Sequence, residues 1–250
     1  MSTKFTWRRM VIKVGSALIA PDGKSLSTEY LLNLANFIML SRKSGKDVIL
    51  VSSGSVAAGA TLNQHLATKK NRSIPEKQAL AAIGQPLVMQ HWQKLFDFPC
   101  AQVLLTLADL KNRQRFVNAK NTINKLIELN TLPIINENDS VAVDELKVGD
   151  NDNLAAYVAL LVDADKLLIC SDVDGLFDSD PLADSNAQFI PQVDEITADI
   201  LAMASSTSNP LATGGMHTKL VAAQKATQRG IDTIIVNGTD ANTFQHLVKG

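Results

Sequence analysis

Cysteine is scarce in this chain. Cys100 and Cys170 are the only two in 250 residues, they lie far apart, and each sits in an apolar run that reads as a buried strand. Two such residues make no disulfide framework, so free buried thiols are expected. An excess of charge is missing as well: 24 Lys plus Arg against 25 Asp plus Glu leave a formal net charge of -1. That balance carries no electrostatic footprint for nucleic acid or for an anionic membrane. Long apolar runs are absent. The longest, Leu154 to Val162, falls far short of the roughly 20 residues that a spanning helix needs. The polar start Met1–Arg9 leads into an apolar stretch interrupted by Lys13 and Gly15, which lacks the pattern of a secretory signal. Together these absences predict a cytoplasmic protein with no nucleic-acid or membrane partner. Familiar catalytic signatures are also missing. There is no G-x-S-x-G, HExxH, CxxC, GxGxxG or Walker A spacing, and His65, His91, His217 and His246 do not sit at metal-ligand intervals.

What is present is strand-helix alternation. Hydrophobic residues make up 46% and charged residues 20% of the chain, ordinary for a globular protein able to bury a sizeable core. Met10–Ile12, Val48–Val51, Gln102–Leu105, Leu132–Ile135, Lys166–Cys170 and Thr233–Val236 read as strands, most of them nearly continuous in apolar residues as strands covered on both faces are. Between them, Thr28–Ser44, Pro75 to about Phe98, Asn118–Asn130, Asn153–Asp163, Ile196–Ala204 and Thr218–Gln228 carry helical spacing. The alternation predicts an α/β fold, a three-layer αβα sandwich around a mostly parallel central sheet. With no repeat, low-complexity tract or long linker, residues 1–250 are expected to form a single domain of two lobes, about 1–165 and about 166–250.

Open α/β sheets bind ligands beyond the carboxyl ends of their strands, so the residues after each strand carry the chemistry. After the first comes Lys13-Val14-Gly15-Ser16. A lysine in an apolar strand either meets an anion or snorkels to the surface. After the second, Ser52-Ser53-Gly54-Ser55 opens a helix with small residues, an anion-friendly start or an ordinary capped one. After the fourth, Asn136 to Asn153 packs six carboxylates and four asparagines into eighteen residues. That density suits a hard cation such as Mg²⁺, a substrate ammonium, or simply a solvated loop. Ser171-Asp172-Val173-Asp174 follows the fifth strand, and Thr213-Gly214-Gly215-Met216-His217-Thr218-Lys219 precedes a helix as a flexible anion cradle or a plain loop. Two lysines, several anion-friendly turns and an acidic loop are the set that phosphoryl transfer needs, because its catalysis is mostly positioning and charge neutralisation.

The combination Val11-Ile12-Lys13-Val14-Gly15, Ser53-Gly54-x-x-Ala57-Ala58-Gly59, Asn136-Glu137-Asn138-Asp139, Val148-Gly149-Asp150-Asn151-Asp152-Asn153 and Thr213-Gly214-Gly215-Met216-x-Thr218-Lys219 resembles the glutamate 5-kinases of the amino-acid kinase family, in order and over nearly the whole chain. The resemblance implies the amino-acid kinase fold and ATP-dependent phosphorylation of the L-glutamate γ-carboxylate, the first step of proline biosynthesis, with ATP as co-substrate and Mg²⁺. It assigns Lys13, Ser171, Asp172, Thr213, Gly214, Gly215, Met216, His217, Thr218 and Lys219 to the nucleotide in the C-terminal lobe. Ser53, Gly54, Asp139, Asp150 and Asn151 go to glutamate in the N-terminal lobe. Lys13, Lys219 and Asp152 are the implied catalytic residues, with Asp152 also the candidate metal ligand. Lys13 and Lys219 would neutralise the transferring group, Asp139 would pair with the substrate α-ammonium, and Ser53 and Asn151 would hold its oxygens. Proline as a feedback inhibitor and a homo-oligomer, dimer or tetramer, come with the resemblance. Ser52 and Ser55 stand where the family has Thr and Ala, and Ser171 where Thr is usual. Many members carry a C-terminal PUA module, which this chain is expected to lack. Two rivals remain: a sibling kinase acting on another carboxylate or on carbamate, and a non-catalytic sensor of ATP or an amino acid.

Overall fold

The computed structural model describes residues 5–23, 25–69, 71–142, 151–179, 181, 184–206 and 215–249. The chain runs through β1 (Arg9–Val14), α1 (Ser16–Ile19), α2 (Leu31–Lys43), β2 (Asp47–Ser52), α3 (Ser55–Thr61), α4 (Gln64–Ala67) and α5 (Ile74–Gln93). It continues through β3 (Cys100–Leu105), α6 (Leu107–Lys111), α7 (Arg113–Glu128), β4 (Leu132–Glu137), α8 (Asn151–Leu161), β5 (Lys166–Ser171), β6 (Leu176–Phe177) and β7 (Phe189–Ile190). It closes with α9 (Ala198–Ser206), α10 (Met216–Thr227), β8 (Asp232–Asn237) and α11 (Ala241–Lys249).

All six strands expected from the sequence form one sheet, ordered β3-β4-β2-β1-β5-β8, and every neighbouring pair is parallel. β6 and β7 make a separate antiparallel ribbon that the sequence reading did not separate from loop. The short helices α1, α4 and α6 went unseen too, because four- or five-residue elements carry too little periodicity to register, and the nine-residue terminal α11 was also missed. The long helix after Asn112 starts five residues earlier than its apolar stripe suggested. The Asn112 side chain accepts from the amides of both Gln114 and Arg115, a cap that sets the start ahead of the periodic residues.

Helices cover both faces. Met10, Ile12 and Val14 of β1 pack with Phe37, Trp92 and Phe244 on one side; Val11 packs with Leu154, Val158 and Ala222 on the other. Successive strand residues point to opposite faces. Lys13 therefore shares the parity of Val11 and points to the face where α8 and α10 begin. β1 lies between β2 and β5, so the chain leaves it in both directions across the sheet, and the strand ends there form the crevice where such sheets bind ligands.

Cys170 is fully buried in β5, as expected, and burial pushes its thiol up to about 12. Cys100 opens β3 half-buried, its thiol raised by burial to about 11, so neither ionises near neutrality. Among the described residues no helix is long and apolar enough to cross a membrane.

Candidate functional site

Lys13, Asp152 and Lys219 meet at the carboxyl edge of the sheet. The Lys13 ammonium lies 2.6 Å from Asp152 Oδ1, and that of Lys219 lies 3.5 Å from Oδ2. Thr218 Oγ1 lies 2.9 Å from the same Oδ2 and 2.9 Å from the Gly215 carbonyl, with one hydrogen to give to either. Exposure is 6% for Lys13, 0% for Asp152 and 4% for Lys219. Three ionisable groups are therefore out of bulk water, an arrangement that costs several kcal/mol per ion unless each is compensated. Burial pushes the Asp152 carboxyl up, but the fields of Lys13 and Lys219 and the hydrogen bonds from Lys13 and Thr218 outweigh it and hold the group below the ordinary carboxylate range. Burial also holds Lys219 below the ordinary lysine value. Asp152 opposes that shift, Lys13 reinforces it, and Asp172 opposes it more weakly. Two ammonium groups thus share one carboxylate.

The local sequence explains the meeting. Asp152 stands in the first turn of α8 and Lys219 in the first turn of α10, two helices that pack against each other and against the sheet. Gly215 is the N-cap of α10, with Met216, His217 and Thr218 following it into the first turn. His217 Nδ1 lies 3.3 Å from the Leu201 carbonyl and so faces α9 rather than Asp152. Ser171 is buried at the end of β5 and donates to the exposed Asp172 at 3.1 Å. Thr213 and Gly214, like Asp150, lie outside the described residues.

A second cluster lies beside the first, toward β4. Asn151 Nδ2, with two hydrogens to give, lies 3.0 Å from the Ser52 carbonyl, 2.9 Å from Ser53 Oγ and 2.8 Å from Asn136 Oδ1. Asn136 in turn donates to Gln85 Oε1 at 2.8 Å, and Trp92 Nε1 donates to Ser52 Oγ at 2.8 Å. Gly54 caps α3 with φ 98, a left-handed conformation that glycine adopts freely. Ser55 Oγ then donates to Asp139 Oδ2 at 2.9 Å. Asp139 edges a cavity of about 210 Å³ walled by α5, β3 and the end of β4. Burial raises its pKa above the ordinary aspartate value, and the Ser55 hydroxyl only partly offsets this.

The structure thus brings Lys13, Asp152, Thr218 and Lys219 into one group and Ser53, Asn151 and their partners into the next, while Asp139 faces the cavity. Gln85 and Asn136 escaped the sequence reading. A signal for Gln85 existed: Leu80, Ala81, Gly84, Gln85, Val88 and Trp92 are the buried stripe of α5, and a glutamine in such a stripe needs hydrogen-bond partners.

Asp152, expected as a metal ligand, has a different setting in this geometry, since Lys13, Lys219 and Thr218 engage both of its oxygens. Among the described residues no three His, Cys, Asp or Glu side chains converge as a metal site. Asp144, Glu145 and Asp150, the acidic neighbours of Asp152 in the sequence, lie outside the described residues.

A parallel sheet covered by helices, with two buried lysines meeting one carboxylate at its carboxyl edge, defines an α/β protein whose charged cluster sits where such sheets bind ligands. The chain belongs to the Amino acid kinase family, which matches residues 8–237. It is 59% identical over 244 residues to a glutamate 5-kinase of Salinibacter ruber (strain DSM 13855 / M31), covering 98% of this chain and 65% of that protein. It is 52% identical over 246 residues to the glutamate 5-kinase of Idiomarina loihiensis (strain ATCC BAA-735 / DSM 15497 / L2-TR), covering 98% and 66%. The chain therefore spans about two-thirds or slightly less of these curated relatives' length. Among solved structures, carbamate kinase from Giardia lamblia bound to AMP-PNP superposes with a TM-score of 0.64 at 20% identity over 98% of this chain and 96% of that one. The UMP kinase from Bacillus anthracis does so with a TM-score of 0.61 at 14% identity, over 98% and 93%. Both likenesses are of fold.

Proposed function

We propose that this chain transfers the γ-phosphoryl group of ATP to the γ-carboxylate of L-glutamate, giving L-glutamyl 5-phosphate and ADP, the reaction that opens proline biosynthesis. The observation that carries the reading is the pair of buried ammonium groups, Lys13 and Lys219, drawn from opposite ends of the chain to one carboxylate. The names of the two relatives support glutamate as the acceptor.

A carboxylate oxygen forms the new bond to phosphorus while the bond to the β-phosphate oxygen breaks, and ADP leaves with those electrons. The acceptor's ordinary pKa of about 4.3 leaves it ionised at neutral pH, so no base is needed, and none stands in the cluster. The obstacle is bringing one anion against another. Lys13 and Lys219 neutralise the transferring group, and Asp152 keeps the two ammoniums from repelling each other apart. Asn151 and Ser53, tied to each other, hold the acceptor's oxygens, and Asp139 pairs with its α-ammonium. Ser171, Asp172 and the Gly215–Lys219 turn serve the nucleotide, which puts glutamate in residues about 1–165 and ATP in about 166–250 of one domain. Mg²⁺ belongs to this reading as a companion of ATP, and no step above depends on it. A cytoplasmic setting, a homo-oligomeric state and proline as feedback inhibitor complete the proposal.

The test is ADP release with L-glutamate, N-acetyl-L-glutamate, L-aspartate or carbamate as acceptor. Release that requires L-glutamate is the expected result. Preference for another acceptor makes the chain a sibling kinase, and nucleotide binding without acceptor-dependent release makes it a sensor.

A further inference from the structure

Helix α5 carries Pro86 in its interior. In an α-helix the N–H of residue 86 would serve the carbonyl of Ala82, one turn back; proline has no N–H, and its ring crowds that carbonyl outward. Ala82 and Pro86 both line the cavity of about 210 Å³, facing a wall that carries Glu137, Asn138 and Asp139, with Gln102 on β3. Two carboxylates and three amides line this space, and among the described residues no lysine or arginine does. Gln85, also in the lining, is committed to Asn136 at 2.8 Å, so the helix wall has the Ala82 backbone oxygen to offer a ligand. Among the described residues the lining is rich in acceptors and holds no cationic side chain.

We infer that the Ala82 carbonyl, released from the helix by Pro86, is a ligand-reading acceptor that works with Asp139 to select substrates bearing a free primary amine. A primary ammonium presents three N–H donors and a positive charge, whereas an acylated amine presents one N–H and no charge. Asp139 supplies the counter-charge, the Ala82 carbonyl a second acceptor and a side-chain amide of the wall the third. The inference deepens the glutamate reading and rests on its placing the amino end of the substrate in this cavity. The raised pKa of Asp139 agrees with it, since a desolvated carboxylate is stabilised by an arriving cation.

Pro86→Ala tests it, because alanine restores the missing N–H and lets the helix claim the Ala82 carbonyl. Binding of L-glutamate, N-acetyl-L-glutamate and a non-hydrolysable ATP analogue would be followed by titration calorimetry, with the melting temperature recorded. The variant is expected to keep or raise the melting temperature, bind the ATP analogue as the parent does, and bind L-glutamate about ten-fold more weakly, the scale of one hydrogen bond to a charged group. An L-glutamate affinity within two-fold of the parent overturns the inference. So does an equal loss for the ATP analogue, or a parent that binds N-acetyl-L-glutamate as tightly as L-glutamate. The two levels separate cleanly. Glutamate-dependent ADP release with an unaltered Pro86→Ala affinity removes the inference alone, and amine-selective binding without ADP release removes the kinase reading alone.

Discussion

The two carboxylates at the heart of the site, Asp152 and Asp139, live in opposite surroundings. Asp152 is closed off from water and faces two lysines, and its pKa lies below the ordinary value. Asp139 edges an open cavity lined by acceptors, bonded to a neutral hydroxyl, and its pKa lies above the ordinary value. One region holds two ammonium groups against one carboxylate and so has positive charge to spare, and the other has a carboxylate with no cation on it. The difference teaches how a single sheet edge can host reactants of mixed charge. The anion-receiving half is built where β1 meets α8 and α10, and the cation-receiving half where β4 meets α3 and α5.

Removing a cation should break this contrast most severely. Lys13→Ala or Lys219→Ala is expected to lower kcat by on the order of 10²-fold or more, measured as ADP release under saturating substrates. A loss of only a few-fold in both variants would mean that neither ammonium meets the transferring group. The next effect belongs to the other half. Asp139→Asn should raise KM for L-glutamate by about ten-fold or more with a smaller change in kcat. Its pH dependence carries the sign of the shift. Because burial raises the pKa, the parent takes up its proton at a higher pH than an ordinary aspartate. Its KM should therefore climb on acidification while the pH is still above about 3.9, and the asparagine variant should lack that rise. The same sign governs stability: an ionised Asp139 is disfavoured in the folded state at neutral pH, so the variant should melt no lower than the parent. Smallest is Trp92→Phe, which deletes the donor to Ser52 at the base of both halves. It is expected to cost about 1–2 kcal/mol, a few degrees in melting temperature, with kcat and KM within two-fold.

Much of the anion-receiving half was legible because its residues violate local expectation. A lysine inside the apolar strand Met10–Val14 has to be explained wherever it occurs, and the strand-helix alternation already put its end on the ligand-binding edge. Asp139 was legible for the same reason, as part of an oxygen-rich run after β4. The partnerships were not. Nothing local ties Gln85 to Asn136 or Trp92 to Ser52, since each pair is joined only after the sheet has brought distant segments side by side. The convergence of Lys13 and Lys219 on Asp152 was not legible either, because the three come from segments far apart in the chain. The cavity needed two facts that the sequence holds separately, a helix through Pro86 and a strand end facing it.

Helices α3 and α5 touch without any side chain between them at Gly59 and Gly84. A Cβ on Gly59 would lie 1.9 Å from the Leu80 carbonyl oxygen, and one on Gly84 would lie 1.9 Å from that of Ser55. Any larger residue at either position has to push α3 and α5 apart. The wall of the cavity lies along α5 and the turn that presents Ser53 and Ser55 opens α3, so the two glycines set the spacing between the cavity and the serines beside Asn151.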